Sequence, residues 1–146
     1  MKTPQDPVNI DDLATLTIRL GREFVKTARG LHLGGNSADV ALIARCTARL
    51  VERDPFSNGV EGGLVAIQGI LERDIKAEVF GVEERYVETH FDETGQHGEI
   101  REVPVYTDRG EDLVSLQRLF DHFCEKRNSV LDHIAAHRIL IARMSG

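Results

Sequence analysis

Hydrophobic positions in the first third of the chain recur every three or four residues, which is the spacing of one face of an α-helix. Asn9 followed by two acidic residues is a helix-capping pattern, and it predicts a first helix over residues 10–29 that ends at Gly30. A second helix is predicted from the Gly34-Gly35 turn to Asp54. The residues at helical spacing are Leu13, Leu16, Leu20, Phe24, Thr27 and Leu31 in the first helix and Val40, Ile43, Thr47, Leu50 and Val51 in the second.

The period of the pattern changes after a third predicted helix. The apolar face of that helix is Leu64, Ile67, Leu71, Ile75 and Val79. From Arg85 onward, hydrophobic and polar residues alternate singly, which is typical of a β-strand. A polar turn at 92–98 and a second alternating segment at 99–107 complete the pattern of an antiparallel hairpin. Pro104 cannot donate a backbone hydrogen bond, so we expect it at an edge or a bulge.

The last segment, residues 111–144, has helical spacing throughout. Its main apolar stripe is Leu113, Leu116, Phe120, Phe123, Val130, Ile134 and Ile141. One unbroken rod of this length measures about 50 Å, which exceeds the span of such a domain. We therefore expect either a break near Asn128, where Ser129-x-x-Asp132 resembles a capping box, or a projecting helix that pairs with a second copy. Apolar residues outside the stripe favour a homodimer: Leu119, Leu131, Ile139 and Leu140.

Length and composition indicate an ordinary globular protein. The 146 residues are 41% hydrophobic and 29% charged, which suits a helix-rich α+β fold in a single domain over 1–146, with residues 1–8 flexible. No apolar run approaches the roughly 20 residues that cross a bilayer, so we expect a soluble, cytoplasmic protein with no membrane partner. Cys46 and Cys124 lie far apart among apolar residues and are predicted to be buried free thiols.

The net charge of −6 is unevenly distributed along the chain. Residues 1–54 contain eight Lys or Arg and seven Asp or Glu, whereas residues 55–146 contain ten and seventeen. Within residues 83–112, ten acidic residues stand against three arginines. The predicted hairpin would therefore be repelled by the phosphate backbone of a nucleic acid.

Basic residues follow one side of each of the first two predicted helices. The two stripes are Arg19, Arg22, Lys26 and Arg29 in the first helix and Arg45, Arg49 and Arg53 in the second. Such stripes contact anions or an acidic protein partner. They are also where a soluble helix keeps its solvated charges, and Glu23 and Glu52 lie close by, so both interpretations stay open.

Two histidines four residues apart, His133 and His137, lie on one face of the last predicted helix, and His122 lies three turns before them. This spacing allows two imidazoles to ligate one metal ion. The segment lacks the glutamate of the zinc-protease pattern His-Glu-x-x-His. Further ligands could come from Glu125 or from His90 and His97 of the hairpin, but nothing in the sequence places them near the pair. The alternative is that these histidines are solvated or lie at the margin of the core.

The order of the predicted elements, three helices followed by a hairpin and a long helix, is the order found in winged-helix proteins. The segment Val105-Tyr106-Thr107-Asp108-Arg109-Gly110-Glu111-Asp112-Leu113 resembles the strand-to-helix ending that follows the wing in that class. The resemblance implies nucleic-acid binding. The acidic hairpin opposes that function, and the third helix offers only Gln68, Arg73 and Lys76 for reading bases.

Three hypotheses about function follow. The first is a non-enzymatic interaction or regulatory protein without a cofactor, which forms a homo-oligomer through its last helix and presents a charged surface to a protein partner. The second is a nucleic-acid-binding regulator that uses the basic stripes. The third is a metal-binding protein or metalloenzyme built on His133 and His137. The first is favoured because the sequence contains no phosphate-binding loop, nucleophile elbow or dinucleotide-binding motif.

Overall fold

The computed structural model describes residues 9–33, 37–52 and 55–145. The elements in chain order are helix α1 (Ile10–Gly30), helix α2 (Ser37–Glu52), a 3-10 turn (Asn58–Val60), helix α3 (Glu61–Ala77), strand β1 (Val79–Asp92), strand β2 (Gly95–Tyr106) and helix α4 (Asp108–Ser145). The predicted helix-rich α+β fold with one antiparallel hairpin is confirmed. The predicted flexible segment 1–8 and the predicted helix end at Asp54 lie outside the described residues.

The hydrophobic core lies between the helices, and α1 and α4 pack along each other at its centre. Phe24 of α1 contacts Phe120 of α4 with ring centroids 5.2 Å apart. Gly21 is buried, and a Cβ atom there would lie 3.1 Å from the ring of Phe123, so this glycine allows the two helices to approach closely. Helices α2 and α3 contribute to the same cluster, which includes Leu20, Ile43, Leu50, Leu64, Ile67, Leu71, Leu113 and Leu116.

Helix α1 ends at Gly30, within one residue of the prediction, but a histidine rather than a glycine terminates it. His32 adopts the left-handed conformation with φ 50°. The N–H groups of His32 and Leu33 donate back to the last turn of α1, which is the pattern of a Schellman motif. Arg109 of α4 donates to the carbonyl oxygen of Leu31 at 2.6 Å and so fixes this helix end on α4.

The boundary between α3 and the hairpin differs from the prediction. Helix α3 ends at Ala77, and Val79, which was assigned to the helix, is the first residue of β1. The strand thus begins before Arg85, and the turn is the short Glu93-Thr94 connection rather than the whole of 92–98. Gly95 closes this turn with φ 117°, a conformation that residues with a Cβ atom rarely adopt.

Helix α4 is one unbroken helix of 38 residues, about 57 Å long at 1.5 Å per residue. Of the two alternatives predicted for this segment, the unbroken helix is confirmed and the break near Asn128 is wrong, because Ser129 does not cap a new helix. Its hydroxyl donates to the Glu125 carbonyl oxygen at 3.1 Å, which is a bond that serine makes inside a helix. Beyond Val130 the described side chains are mostly exposed, so this end extends past the core. No helix among the described residues combines the length and apolarity needed to cross a bilayer.

A buried arginine joins α4 to the segment that leads into α3. Arg127 is 3% exposed, and its Nε donates to the Pro55 carbonyl oxygen at 2.7 Å. Its Nη2 lies 3.4 Å from the carbonyl oxygen of Ser57 and 3.7 Å from the carboxylate of Glu61. These contacts satisfy the guanidinium and hold the start of α3 on α4, as buried charges require.

Candidate functional site

The helical histidines do not gather into a cluster. His122, His133 and His137 are all exposed on α4. In the part of the chain that the structure describes, no set of three potential metal ligands includes any of them. The metal site on His133 and His137 therefore stays a prediction. Among the described residues, no group of three potential ligands completes it.

The basic stripes are solvated, and one of them borders a groove. Arg19, Arg22, Lys26 and Arg29 are exposed along α1, and Arg53 lies outside the described residues. Arg45 and Arg49, both exposed, flank a groove of about 270 Å³ between α2 and α3. The groove is also lined by Leu42, Cys46, Gly59, Gly62, Gly63 and Ala66. Small and apolar residues thus form a depression with two guanidinium groups at its side.

Two contacts shape this groove. A Cβ atom on Gly63 would lie 3.0 Å from the sulfur of Cys46, so the glycine allows α3 to approach α2. Arg49 donates to the carbonyl oxygen of Gly59 at 3.3 Å, which fixes its side chain near one end of the groove.

The cysteines have no feature of a reactive site. Cys46 is buried, whereas Cys124 is half-buried rather than fully buried as predicted. Burial raises the pKa of the Cys124 thiol to about 11, and the nearby Asp121 carboxylate adds to this increase. The thiolate that reacts with electrophiles is therefore scarce at neutral pH.

Two of the three polar residues of α3 that a winged-helix protein would use to read bases, Gln68 and Arg73, contact neighbouring side chains. Arg73 lies 2.6 Å from Asp39 and 3.1 Å from Asp74. Hydrogen bonds to these two carboxylates raise the pKa of Arg73. Gln68 donates to Glu72 at 2.7 Å and accepts from Gln117 at 2.8 Å. Gln68 and Arg73 are therefore committed to contacts within the chain, most of them with acidic groups, whereas Lys76 is exposed.

The hairpin is a two-stranded ribbon with two faces of different chemistry. Its antiparallel pairing runs from Val79 opposite Tyr106 to Asp92 opposite Gly95, with irregularities at Phe80 and Thr89. The register places on one side, here called the apolar face, Val82, Glu84, Tyr86, Glu88, Phe91, Gln96, Gly98, Ile100, Glu102 and Pro104. The other side, here called the charged face, carries Glu83, Arg85, Val87, His90, Asp92, His97, Glu99, Arg101, Val103 and Val105.

Four large hydrophobic side chains are exposed on the apolar face. Val82 is 64% exposed, Tyr86 61%, Phe91 76% and Ile100 70%. The Tyr86 ring lies over Gly98, where a Cβ atom would be 2.6 Å from the ring, so this glycine makes room for it. Tyr86 and Ile100 are cross-strand partners at the centre of this face, and exposed apolar side chains that adjoin one another are typical of an interaction site in soluble proteins.

Charge is distributed unequally between the two faces. On the charged face, Arg85 pairs with Glu83 and Arg101 pairs with Glu99, so each arginine has an acid two residues away on its own strand. On the apolar face, Glu84 and Glu102 are cross-strand partners, and the structure gives neither an ion pair with any described residue. The apolar face therefore carries uncompensated negative charge among its hydrophobic side chains.

The charged face brings three potential metal ligands together at the tip of the hairpin. The rings of His90 and His97 stack with centroids 4.6 Å apart and an interplanar angle of 14°. The Nε2 atom of His97 lies 2.9 Å from Oδ1 of Asp92, and the Nε2 atom of His90 lies 3.8 Å from Oδ2. The hydroxyl and the N–H of Thr94 donate to Asp92, and with His97 they lower the pKa of that carboxyl group.

Comparison of the chain with protein-family models, with curated proteins and with solved structures gives no match. The function is therefore inferred from the geometry of this chain alone. Its two distinctive surfaces are the apolar face and the histidine-containing tip of one hairpin.

Proposed function

We propose that this chain is a non-enzymatic interaction protein that assembles with a second copy of itself through the apolar face of its hairpin. The observation that carries the proposal is the row of exposed side chains Val82, Tyr86, Phe91 and Ile100 on a ribbon of only two strands. A two-stranded ribbon is marginally stable by itself in water. Covering one face would remove this apolar surface from water and stabilise the ribbon.

The chemistry of the apolar face specifies the surface that would cover it. Its hydrophobic side chains require an apolar counterpart. Glu84, Glu88 and Glu102 lie on the same face and would lose water in the contact. A buried carboxylate is unfavourable unless an opposite charge and hydrogen bonds compensate it. The complementary surface therefore has an apolar centre and basic side chains at its margin.

The groove between α2 and α3 of a second copy meets both requirements. Arg45 and Arg49 supply positive charge beside it, and both side chains are exposed. Gly62 leaves open space at the groove for an inserted side chain, since a Cβ atom there would meet nothing within 4 Å. Val65, 74% exposed, adds apolar surface one residue before Ala66 of the groove lining.

A reciprocal exchange would use both surfaces of both copies. The ribbon and the groove belong to different elements of one chain, so two copies related by a twofold axis would each insert a ribbon into the other and close the assembly. Strand β1 has 14 residues and measures about 46 Å at 3.3 Å per residue, which is long enough to reach a neighbouring molecule. The extended end of α4 remains the second candidate for self-association.

The test measures the oligomeric state by sedimentation velocity across a concentration series. We expect the wild-type chain to form a dimer and the double variant Tyr86→Ser, Ile100→Ser to raise the dimer dissociation constant at least tenfold, because burial of each side chain contributes about 1.5–3 kcal/mol. The matched control is Glu83→Ser, Arg85→Ser, which removes an ion pair from the charged face of the same strand without changing the net charge. Circular dichroism checks that each variant keeps its helices.

A charge-reversal experiment locates the partner surface. Glu84→Lys, Glu102→Lys and Arg45→Glu, Arg49→Glu should each weaken the dimer, and the combination of all four should restore it, because the opposite charges then meet again. A monomeric wild type at tens of micromolar contradicts the proposal. So does a dimer that is indifferent to the Tyr86 and Ile100 substitutions, which would direct attention to α4. If both charge-reversal pairs weaken the dimer and their combination does not restore it, the groove between α2 and α3 is excluded as the partner surface.

A further inference from the structure

We propose that the tip of the hairpin binds a divalent transition-metal ion through His90, Asp92 and His97. This site differs from the pair His133 and His137 that the sequence spacing suggests, and it does not depend on the proposed self-association. It combines two imidazoles and one carboxylate, which is a ligand set suited to zinc, nickel, cobalt or iron(II) rather than to magnesium or calcium.

The ligand atoms are already close to the separations that a metal would impose. All three lie within 4.8 Å of one another. Two ligands bound tetrahedrally at about 2.1 Å from zinc stand roughly 3.4 Å apart. The measured distances from Asp92 oxygens to the two Nε2 atoms, 2.9 Å for His97 and 3.8 Å for His90, lie on either side of that value. Small side-chain rotations are therefore sufficient to form the site.

A β-bulge places the two histidines on the same face. If the register that holds up to the pair Glu88 and Gly98 continued, Thr89 would lie opposite His97. His90 would then lie opposite Gln96 on the apolar face. The extra residue at Thr89 shifts the register by one, so that His90 pairs with His97 instead. Bulges redirect side chains in this way beside functional sites. Without the bulge, the ribbon would separate the two imidazoles.

The same residue orients the first ligand. The Thr89 hydroxyl donates to the carbonyl oxygen of His97 at 3.4 Å and lies 3.1 Å from Nδ1 of His90. A hydroxyl that donates to the carbonyl can accept a hydrogen bond from Nδ1–H of His90. That tautomer leaves the lone pair of Nε2 directed at Asp92. A hydrogen bond to the ring nitrogen that does not ligate the metal is the usual support of a metal-bound histidine.

One hairpin supplies three ligands, so a fourth coordination position is open to water or to a ligand from a partner. The side chains of His90, Asp92 and His97 are 60%, 49% and 40% exposed, so an ion can enter from solvent.

In the absence of metal, hydrogen bonds among Asp92, Thr94 and His97 hold the turn. Metal binding must replace the hydrogen bond between Nε2 of His97 and Asp92, because a ring nitrogen that carries a proton cannot ligate a metal.

The test is a titration of the metal-stripped, full-length chain with Zn²⁺ by isothermal calorimetry, with Co²⁺ absorption in the visible range as a spectroscopic probe of coordination. We expect one ion per chain. His90→Ala and His97→Ala should each weaken binding at least roughly tenfold and change the Co²⁺ spectrum. The matched control is His133→Ala, His137→Ala, which removes the same number of imidazoles from α4 and should leave both measurements unchanged.

The substitution Thr89→Val tests whether Thr89 orients the His90 ring, without removing any of the three metal ligands. Valine preserves the size and β-branching of the residue but removes the hydroxyl, so we expect weaker Zn²⁺ binding with the stoichiometry retained. The proposal is overturned if the wild-type chain shows no binding up to millimolar Zn²⁺, if the hairpin histidine variants bind as tightly as the wild type, or if affinity is lost in the α4 double variant. Sedimentation in the presence of a chelator tests self-association separately, so failure of one proposal leaves the other intact.

Discussion

Arg127 shows how one buried side chain can connect distant parts of the chain. It is the one charged residue among the described side chains that is buried, and it supplies hydrogen bonds to carbonyl groups more than sixty positions earlier in the sequence. It lies four residues after Phe123 and three before Val130, on the main apolar stripe of α4, so the spacing predicts burial although the charge of the side chain does not. His32 is a second residue whose type does not suit its position. It adopts the left-handed backbone conformation that ends α1, where glycine is the usual residue.

Removal of the Arg127 guanidinium should destabilise the protein markedly. Arg127→Met retains most of the side-chain volume but leaves the Pro55 carbonyl without its donor, and we expect the free energy of unfolding in urea to fall by about 2–3 kcal/mol. Arg118→Met on the exposed side of the same helix is the control and should change it by less than about 0.5 kcal/mol. A similar effect of both substitutions would contradict the role assigned to Arg127.

Within an element, residues of one type have different roles according to what lies beside them. The glycines of α3 all lower helix propensity, yet only Gly63 lies against another helix, with the Cys46 sulfur 3.0 Å from the position of a Cβ atom. At the base of the hairpin, Gly110 is a second close approach, since a Cβ there would lie 2.8 Å from the Cβ atoms of Glu78 and Tyr106. These two glycines fix how α3 and the hairpin are attached.

Alanine substitutions in α3 should separate these roles. Gly69→Ala should stabilise the protein by about 1 kcal/mol, because a Cβ atom there meets nothing within 4 Å and alanine favours the helix. Gly63→Ala adds the same helix propensity but forces α3 away from α2, so we expect no gain and a lower melting temperature. Thermal unfolding of the two variants checks this, and an equal rise in both would show that the α2–α3 contact is easily displaced.

The whole molecule combines a helical core with a ribbon whose net charge of −5 is close to the −6 of the entire chain. The hairpin strands and their turn, residues 79–106, contain seven acidic residues and two arginines, whereas the exposed side of α1 carries four basic residues. This separation opposes nucleic-acid binding through the hairpin and favours contact with a basic protein surface. In the proposed dimer, that surface belongs to a second copy.

Salt should weaken the proposed dimer. Its contact pairs glutamates of the apolar face with Arg45 and Arg49, and such attraction is screened as the Debye length falls from about 10 Å at 0.1 M salt to about 3 Å at 1 M. We expect the dissociation constant, measured by sedimentation, to rise severalfold over this range. The charge-reversed variant with all four substitutions should show the same dependence. A dimer that becomes tighter with salt would instead indicate a contact governed by apolar burial alone.

The sequence by itself determined the elements and the distribution of charge. The spacing of apolar residues predicted α1, α2 and α3 within a few residues, and alternation predicted a hairpin, because these periods are properties of the local backbone. The excess of acidic residues in the hairpin also follows from the sequence alone. The end of α3 was misplaced at Val79, since an apolar residue at that position suits either a helix or a strand.

The tertiary structure decided which residues meet. His90 and His97 were both visible in the sequence as possible ligands, but their common face depends on the bulge at Thr89, and a shift of one residue in strand register exchanges the two faces of a ribbon. Likewise, Arg127 is buried because the segment that leads into α3 packs against it and accepts its hydrogen bonds through Pro55 and Ser57. Local patterns fix the period of each element, whereas register, burial and the grouping of side chains depend on contacts between residues that are distant in the sequence.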